Sequence, residues 1–398
     1  CSPVLQAAPG STHGYDVVDH TRISEEIGGE EALHRLAEAA HSHGMGIVVD
    51  VVPNHMSIPT PIWHNRALWS VLRDGPASPF AEWFDLELSG ERSVLVPVLG
   101  RPIGAVLADG EITMGVEEVP QADGSVAEET VVRYYDHVLP VAAGTEHLGL
   151  ADLLDRQWYR LAYWKVSDEE LNYRRFFDVD TLAAVRVEDP AVFEATHRTL
   201  LQLQGEGVID GYRIDHPDGL SDPRGYLRDL ERATDGAWTV IEKILEGEEH
   251  LPGDFPCAGT TGYDALWRVT GLFHDPHGAL GLTHLWQRRT GDLRPFEEVA
   301  AESTDLVVTT SLWAEIERLT ALIHGICQDD IRLRDTTRRN IQKVVVALLT
   351  SMDRYRAYIV PGEPAPGAER AVIEQAAARA QARLGDDEDL AATLELVV

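Results

Sequence analysis

Three short β-branched runs limit what this chain can fold into: GIVVDVVPNH (46–55), VIDGYRID (208–215) and AWTVIEKIL (237–245). Continuous Val/Ile runs of this kind mark strands buried on both faces, as in parallel sheets covered by helices. Each run follows a stretch of helical period. These are IGGEEALHRLAEAAHSHG (27–44), PAVFEATHRTLLQLQGEG (190–207) and DPRGYLRDLERAT (222–234), the first ending at Gly44, a fitting helix stop. Helix then buried strand is the rhythm of a parallel α/β protein. Each run also carries an acid where its apolar part ends: Asp50, Asp215 and Glu242. In a parallel barrel the strand C-termini converge on one face, where active sites sit. One acid at a strand end is often only a cap or turn residue; three at the same station point to chemistry.

The rhythm lapses over 56–165, where Pro/Gly punctuation, short strand-like runs and the aromatics Trp158, Tyr159, Tyr163 and Trp164 predict an insertion on the loop side. The 398 residues suit one large barrel with insertions or two to three domains. The expected organisation is 1–55 as the first part of a catalytic barrel and 56–170 as an inserted loop-side subdomain. Residues 171–290 then carry the reactive strands, and 291–398 form a mainly helical insertion plus one strand, RAYIVPG (356–362). The tail AERAVIEQAAARAQARL reads as an Ala-rich helix, and GDDEDL (385–390) as a solvated turn.

With 34 Lys+Arg against 66 Asp+Glu, the net charge of −32 repels phosphate backbones and anionic lipid. No nucleic-acid or membrane partner is expected, and neutral substrates stay open. No uninterrupted apolar run reaches the ~18 residues of a membrane span. Three cysteines (Cys1, Cys257, Cys327) make neither a disulfide framework nor a zinc site, which favours a reducing cytoplasm. No G-x-G-x-x-G or P-loop follows a strand, against nucleotide chemistry. No acidic cage stands out for calcium, so no metal or cofactor is expected. The opening CSPVLQAAPGSTHGYD has no initiator Met and no leader features, and reads like the middle of a domain: the chain reads as a fragment.

Arg213 and Asp215 lie two apart on a strand and so face one side. The guanidinium beside Asp215 is expected to keep that carboxylate ionised at neutral pH, as a nucleophile needs. A structural ion pair is the bland alternative, but buried pairs are costly. Glu242, after an apolar run and near Trp238, is expected to be desolvated and protonated. One ionised and one protonated carboxyl, about 5–5.5 Å apart, is the division of labour of a retaining glycosidase-type site.

DVVPNH (50–55), GYRIDH (211–216) and EKIL (242–245) resemble, in order and spacing, the first three conserved regions of the α-amylase superfamily. The longer stretches STHGYDVVDH (11–20), NYRRFFDVDTLAAVR (172–186), DHPDGLSDPRGYL (215–227) and GTTGYDA (259–265) are similar to the maltooligosyltrehalose synthase family. The resemblance implies a (β/α)8 barrel of the α-amylase type, incomplete at both ends, with a loop insertion and a helical insertion. It also implies intramolecular transglucosylation, the reducing-end α-1,4 bond of a maltooligosaccharide or glycogen-derived glucan becoming an α,α-1,1 bond. Such a product passes to a trehalose-releasing hydrolase. By the same resemblance Asp215 is the nucleophile, Glu242 the acid/base and Arg213 the group that positions Asp215. His55 and His216 bond sugar hydroxyls, Tyr15 stacks on the sugar ring, and Asp50 and Asn54 brace the site. Asp16 and Arg175 join them as substrate-binding candidates.

The superfamily's fourth region, a His-Asp pair bearing a third carboxylate, is not found after 295. His274–Asp275 comes too soon after Glu242 and sits in a turn-like FHDPHG. The third acid is therefore expected beyond Val398, and this polypeptide alone to be inactive or poorly folded. Two other readings keep the same acids: an amylase-type hydrolase and a 4-α-glucanotransferase. A non-catalytic carbohydrate-binding barrel is a further class, against which the presence of both Asp215 and Glu242 counts.

Overall fold

The computed structural model describes residues 1–398 apart from 89–92, 122–123, 248 and 361. The three β-branched runs form one sheet. Strand Gly211–Ile214 lies between Val48–Val51 and Trp238–Ile241, parallel to both, with Arg213 level with Asp50 on one side and Val240 on the other. The ladder continues past the strands: Asp215 N–H donates to Val51 O at 2.9 Å and Glu242 N–H to Ile214 O at 2.8 Å. The backbones of the two acids are thus fixed just beyond the strand ends. Gly211 is required here by close approach, since a Cβ would stand 2.6 Å from the Trp238 carbonyl oxygen. Val49, Ile214 and Ile241 are fully buried.

The three helices form where their periodicity predicts. Gly29–Ser42 buries Leu33, Ala37 and Ala40. Pro190–Gly205 is started by Asp189, whose carboxylate accepts Ala191 N–H at 2.8 Å, with Pro190 at the first helical position. Asp222 and Pro223 start Pro223–Ala233 in the same way. His197 ties these two helices together. Its Nδ1 donates to Phe193 O at 3.0 Å and its Nε2 accepts from Tyr226 OH at 2.9 Å. Burial pushes this imidazole down to about 4, so it stays neutral.

The 56–170 stretch, read as an inserted subdomain, is built of helices and strands. It contains helix Arg66–Asp74, the antiparallel ribbon Ile112–Pro120/Val126–Tyr134 with His137–Pro140 beside it, and strand Val94–Leu99 parallel to Tyr159–Tyr163. A further antiparallel sheet brings distant motifs together: His55–Ser57 pairs with Val179–Ala184, which pairs with Arg175–Phe176.

Among the described residues the parallel sheet that carries the acids has three strands and forms no closed barrel. The chain divides into two compact units, 1–242 with 253–259, and 243–252 with 260–398. The helical region therefore takes in 260–290, which the sequence reading gave to the barrel. Residues 263–290 show why: Tyr263–Gly271 and Ala279–Thr290 are helices, and no strand is found among the described residues after Ile241. The expected strand at 356–362 is accordingly irregular over 356–360, and Pro361 lies outside the described residues. Two apolar clusters hold this second unit, one around Ile316, Cys327 and Ile341 and one around Val344, Ala380 and Leu394. Within GDDEDL, Asp387 caps the last helix, Glu388–Val397, so half of the expected turn is helical. No helix among the described residues is long and apolar enough to cross a membrane.

Candidate active site

Arg213 is the hub. Its Nη1 donates to both oxygens of Asp50, at 2.8 and 2.7 Å, and to Asp215 Oδ1 at 2.7 Å. Its Nη2 lies 3.5 Å from Glu242 Oε1. One cation thus gathers the acids from the ends of all three parallel strands. Tyr15 donates its hydroxyl to Asp50 Oδ2 at 2.7 Å, and its ring lies 6.0 Å from the Arg213 guanidinium carbon. Burial, with Asp50 adding, raises this phenol to about 12, so it remains a donor.

The charge balance differs from the sequence reading. Burial pushes the Asp215 carboxyl up to about 7; Glu242 and Asp50 add to the push and Arg213 opposes it without winning. The reason is that Arg213 is shared, Asp50 taking two of its bonds. Glu242 also lacks the apolar setting expected of it. Trp238 is half exposed, and Glu242 Oε2 instead accepts the His216 backbone N–H at 3.0 Å. His216 presents that N–H from a left-handed backbone, φ 42°, which a non-glycine residue adopts only at a cost of about 1–3 kcal/mol.

His55 is placed differently from expectation. It is 2 % exposed; its Nε2 lies 3.1 Å from the Tyr15 carbonyl, and Asn54 Nδ2 donates to its Nδ1 at 3.3 Å. A carbonyl can only accept, so Nε2 carries the proton and both nitrogens are engaged within the protein. Burial lowers the ring to about 4 and keeps it neutral. His55 therefore braces Tyr15 and offers no free nitrogen to a sugar hydroxyl. Asn54 is buried, with its Nδ2 toward His55 Nδ1 and its Oδ1 accepting from Arg174. Asp16 bonds Ser11 of its own turn.

Arg175 is held in its own turn. Its side chain, 2 % exposed, is bonded to Asp180 and to Asp178 O, closing the turn after Phe176. Arg174 reaches the site, although sequence reasoning passed over it. It donates to Asp85 at 3.0 Å, to Asn54 Oδ1 at 3.0 Å and to the Gly219 carbonyl, linking the loops that follow two of the parallel strands. Phe176 and Phe177 were also missed. Phe176 lies 4.9 Å from the His55 ring and 5.0 Å from the His216 ring, and Phe177 lies 5.1 Å from His216. The signal was in NYRRFF, but neighbouring strand residues point to opposite faces and the motif does not say which turn inward. His274 and Asp275 stay in an exposed turn, where Asp275 accepts His277 N–H. Away from these acids, Glu30, His34 and Glu206 could share an ion; they are at the helix surface and nothing else marks them as a site.

Residues 1–111 match the family model of the α-amylase catalytic domain. A Mycobacterium tuberculosis protein that carries the provisional name maltooligosyl trehalose synthase is 39 % identical over 369 residues, 92 % of this chain and 44 % of its own length. The solved maltooligosyltrehalose synthase of Arthrobacter ramosus superposes with a TM-score of 0.84 at 38 % identity, over 100 % of this chain and 48 % of that one. Over nearly its whole length the chain is similar to maltooligosyltrehalose synthases. It spans less than half the length of these two relatives. A glycosyltrehalose synthase structure matches as well, with a TM-score of 0.78 at 31 % identity over 99 % of this chain and 50 % of its own. The α-amylase-type catalytic domain is the fold in which the Val48–Val51 strand, and the sheet it belongs to, stands.

Gly219 locks the two loops of this site together. A Cβ there would stand 2.5 Å from both Asn54 Oδ1 and His216 Cδ2. Gly219→Ala must move one of them, and with it the Asn54–His55–Tyr15 chain or the His216 N–H on Glu242. The expected result is a 10- to 100-fold fall in kcat/KM, roughly, as a small misplacement produces, with about 1–3 kcal/mol lost to overpacking. Steady-state kinetics and thermal melts check this, and wild-type kinetics in the variant would contradict it.

Proposed function

We propose that the protein converts the reducing-end α-1,4 bond of a maltooligosaccharide into an α,α-1,1 bond by a retaining double displacement. The observation that carries this reading is the single guanidinium holding Asp50, Asp215 and Glu242 at the ends of three adjacent parallel strands. The kinship with maltooligosyltrehalose synthases selects the reaction among those such a site could run. We read the sheet as part of a (β/α)8 barrel, and the product as substrate for a trehalose-releasing hydrolase. Cys1, Cys257 and Cys327 are all free thiols, which suits a reducing cytoplasm.

In this reading an Asp215 carboxylate oxygen attacks the anomeric carbon on the non-reducing side of the last bond. Glu242 gives its proton to the departing oxygen, and a glycosyl–Asp215 ester forms. The freed glucose stays in its subsite and turns. Its anomeric hydroxyl attacks the anomeric carbon of the glycosyl ester as Glu242 takes back a proton and Asp215 leaves as carboxylate. Two inversions keep α as α. Attack needs the Asp215 carboxyl, which burial pushes up to about 7, in its ionised form, and Arg213 is the cation that opposes that push. Arg213 then neutralises the carboxylate regenerated in the second step. Tyr15, braced from below by His55 and Asp50, offers its ring to the sugar, and His216 its imidazole.

Incubation with maltopentaose tests the function. The proposed activity lowers the number of reducing ends while chain length is unchanged, and the product resists borohydride. A rise in reducing ends with shorter sugars would mean hydrolysis, and longer and shorter sugars together would mean 4-α-glucanotransfer.

A further inference from the structure

Within EKIL (242–245) burial runs against polarity. Lys243 is 1 % exposed, whereas the apolar Ile244 beside it is 56 % exposed. Apolar burial alone would turn this segment the other way round, since lysine is almost never fully buried unless paired. What turns Lys243 inward is a carboxylate. Its Nζ lies 3.0 Å from Glu249 Oε1 and 5.9 Å from the centre of the Tyr358 ring, and both partners are buried. Glu249 is fixed in turn: its Oε2 accepts the Glu246 N–H at 3.1 Å, and its own N–H donates to Glu246 O at 2.9 Å. Residues 242–246 form neither helix nor strand, so no regular ladder holds the chain beyond Glu242. A buried ion pair is a poor source of stability, because apolar side chains of similar volume often do as well; its best-attested use is to fix one arrangement. The arrangement fixed here is the course of the chain directly after Glu242.

We infer that Lys243 is a positioning residue: its buried pairing with Glu249 pins the chain next to Glu242 and so aims the Glu242 carboxyl at the departing glycosidic oxygen. This rests on the proposed acid/base role of Glu242. The N-terminal side of Glu242 is set by its N–H on Ile214 O, and its Oε2 is met by the His216 N–H. The Lys243 anchor supplies the hold on the C-terminal side. A general acid acts only when its proton lies within hydrogen-bond reach of the leaving oxygen. In the first step an Asp215 oxygen bonds to the anomeric carbon, the bond to the terminal glucose breaks, and the electron pair left on oxygen takes the Glu242 proton. When the leaving group is fluoride, the electron pair departs with the halide and no proton is required. A misaimed Glu242 therefore slows the reaction of the sugar and spares that of the fluoride. A displaced Asp215 or a damaged fold slows both.

Lys243→Met alone would strand a buried carboxylate and damage the fold. The informative variant is Lys243→Met with Glu249→Gln, which buries no charge and leaves the glutamine oxygen to accept the Glu246 N–H. Its rate on maltopentaose is compared with its first turnover of fluoride release from α-maltosyl fluoride, which reports formation of the Asp215 ester. The maltopentaose rate is expected to fall about 10²-fold, the scale of general acid catalysis, while fluoride release stays within about twofold of wild type. Glu242→Gln is the benchmark and should show the same split, larger. Equal falls on the two substrates in the double variant, or no fall on maltopentaose, while Glu242→Gln splits them, overturn the inference and leave the acid/base reading standing. A Glu242→Gln variant that loses both activities equally overturns the acid/base reading, and this inference with it.

Discussion

Asp215→Asn is expected to lower kcat by on the order of 10⁴-fold or more, the scale on which loss of a nucleophile is felt, and at the same time to stabilise the fold at alkaline pH. The two effects have one origin. The carboxyl is raised from 3.8 to about 7 by burial, with Glu242 and Asp50 adding. Between those two pH values the folded chain keeps a proton that the unfolded chain has lost. The contribution of this group to stability is therefore complete below the unfolded value and disappears as pH rises through about 7. Asparagine is neutral throughout. Variant and wild type should melt together near pH 4, and the variant should melt higher at pH 8, by roughly 2–4 °C for each kcal/mol relieved. The wild-type kcat/KM should also fall as pH drops below about 7, because the proton on Asp215 blocks attack. A variant that melts below wild type at pH 8 would show that Arg213 outweighs burial.

Arg213→Lys is expected to cost about 10²–10³-fold in kcat/KM and to move the acid limb of the pH profile to higher pH. Lysine keeps a positive charge but concentrates it in one ammonium on a flexible stem. Arg213 reaches Asp50 and Asp215 at 2.7–2.8 Å through one nitrogen and Glu242 at 3.5 Å through another. An ammonium close enough to Asp50 gives up part of the contact with Asp215. The one cation that opposes the upward push on Asp215 is then weakened, and its carboxyl titrates still higher. The pH profile separates this from general damage, which would lower the rate without moving the limb. An unmoved limb would take Arg213 out of the control of Asp215.

Much of this site was legible in the sequence, for definite reasons. Strands buried on both faces must be nearly continuous in apolar residues, so the runs ending at Asp50, Asp215 and Glu242 stand out. The two-residue spacing places Arg213 and Asp215 on one side without further information. The protonation balance was not legible, because it depends on which strand lies beside which. Only the neighbouring Val48–Val51 strand brings Asp50 level with Arg213, where it takes two of its hydrogen bonds. The choice between Arg174 and Arg175 depends on one residue of strand register. The role of His55 depends on a carbonyl forty residues earlier in the chain. Local pattern gave no hint of the division after Glu242, since the 263–290 helices have the same period in either unit.

The most direct test of the central claim, that Asp215 forms a covalent glycosyl–enzyme within the Arg213-centred carboxylate group, is trapping. A fluorinated α-glucosyl or α-maltosyl fluoride that forms its ester quickly and loses it slowly is incubated with the protein, and the labelled peptide is located by mass spectrometry. The account predicts one sugar per chain, on Asp215, and none on Asp215→Asn. A label on Glu242 or Asp50 would contradict it, as would turnover of the fluoride with inversion at the anomeric carbon.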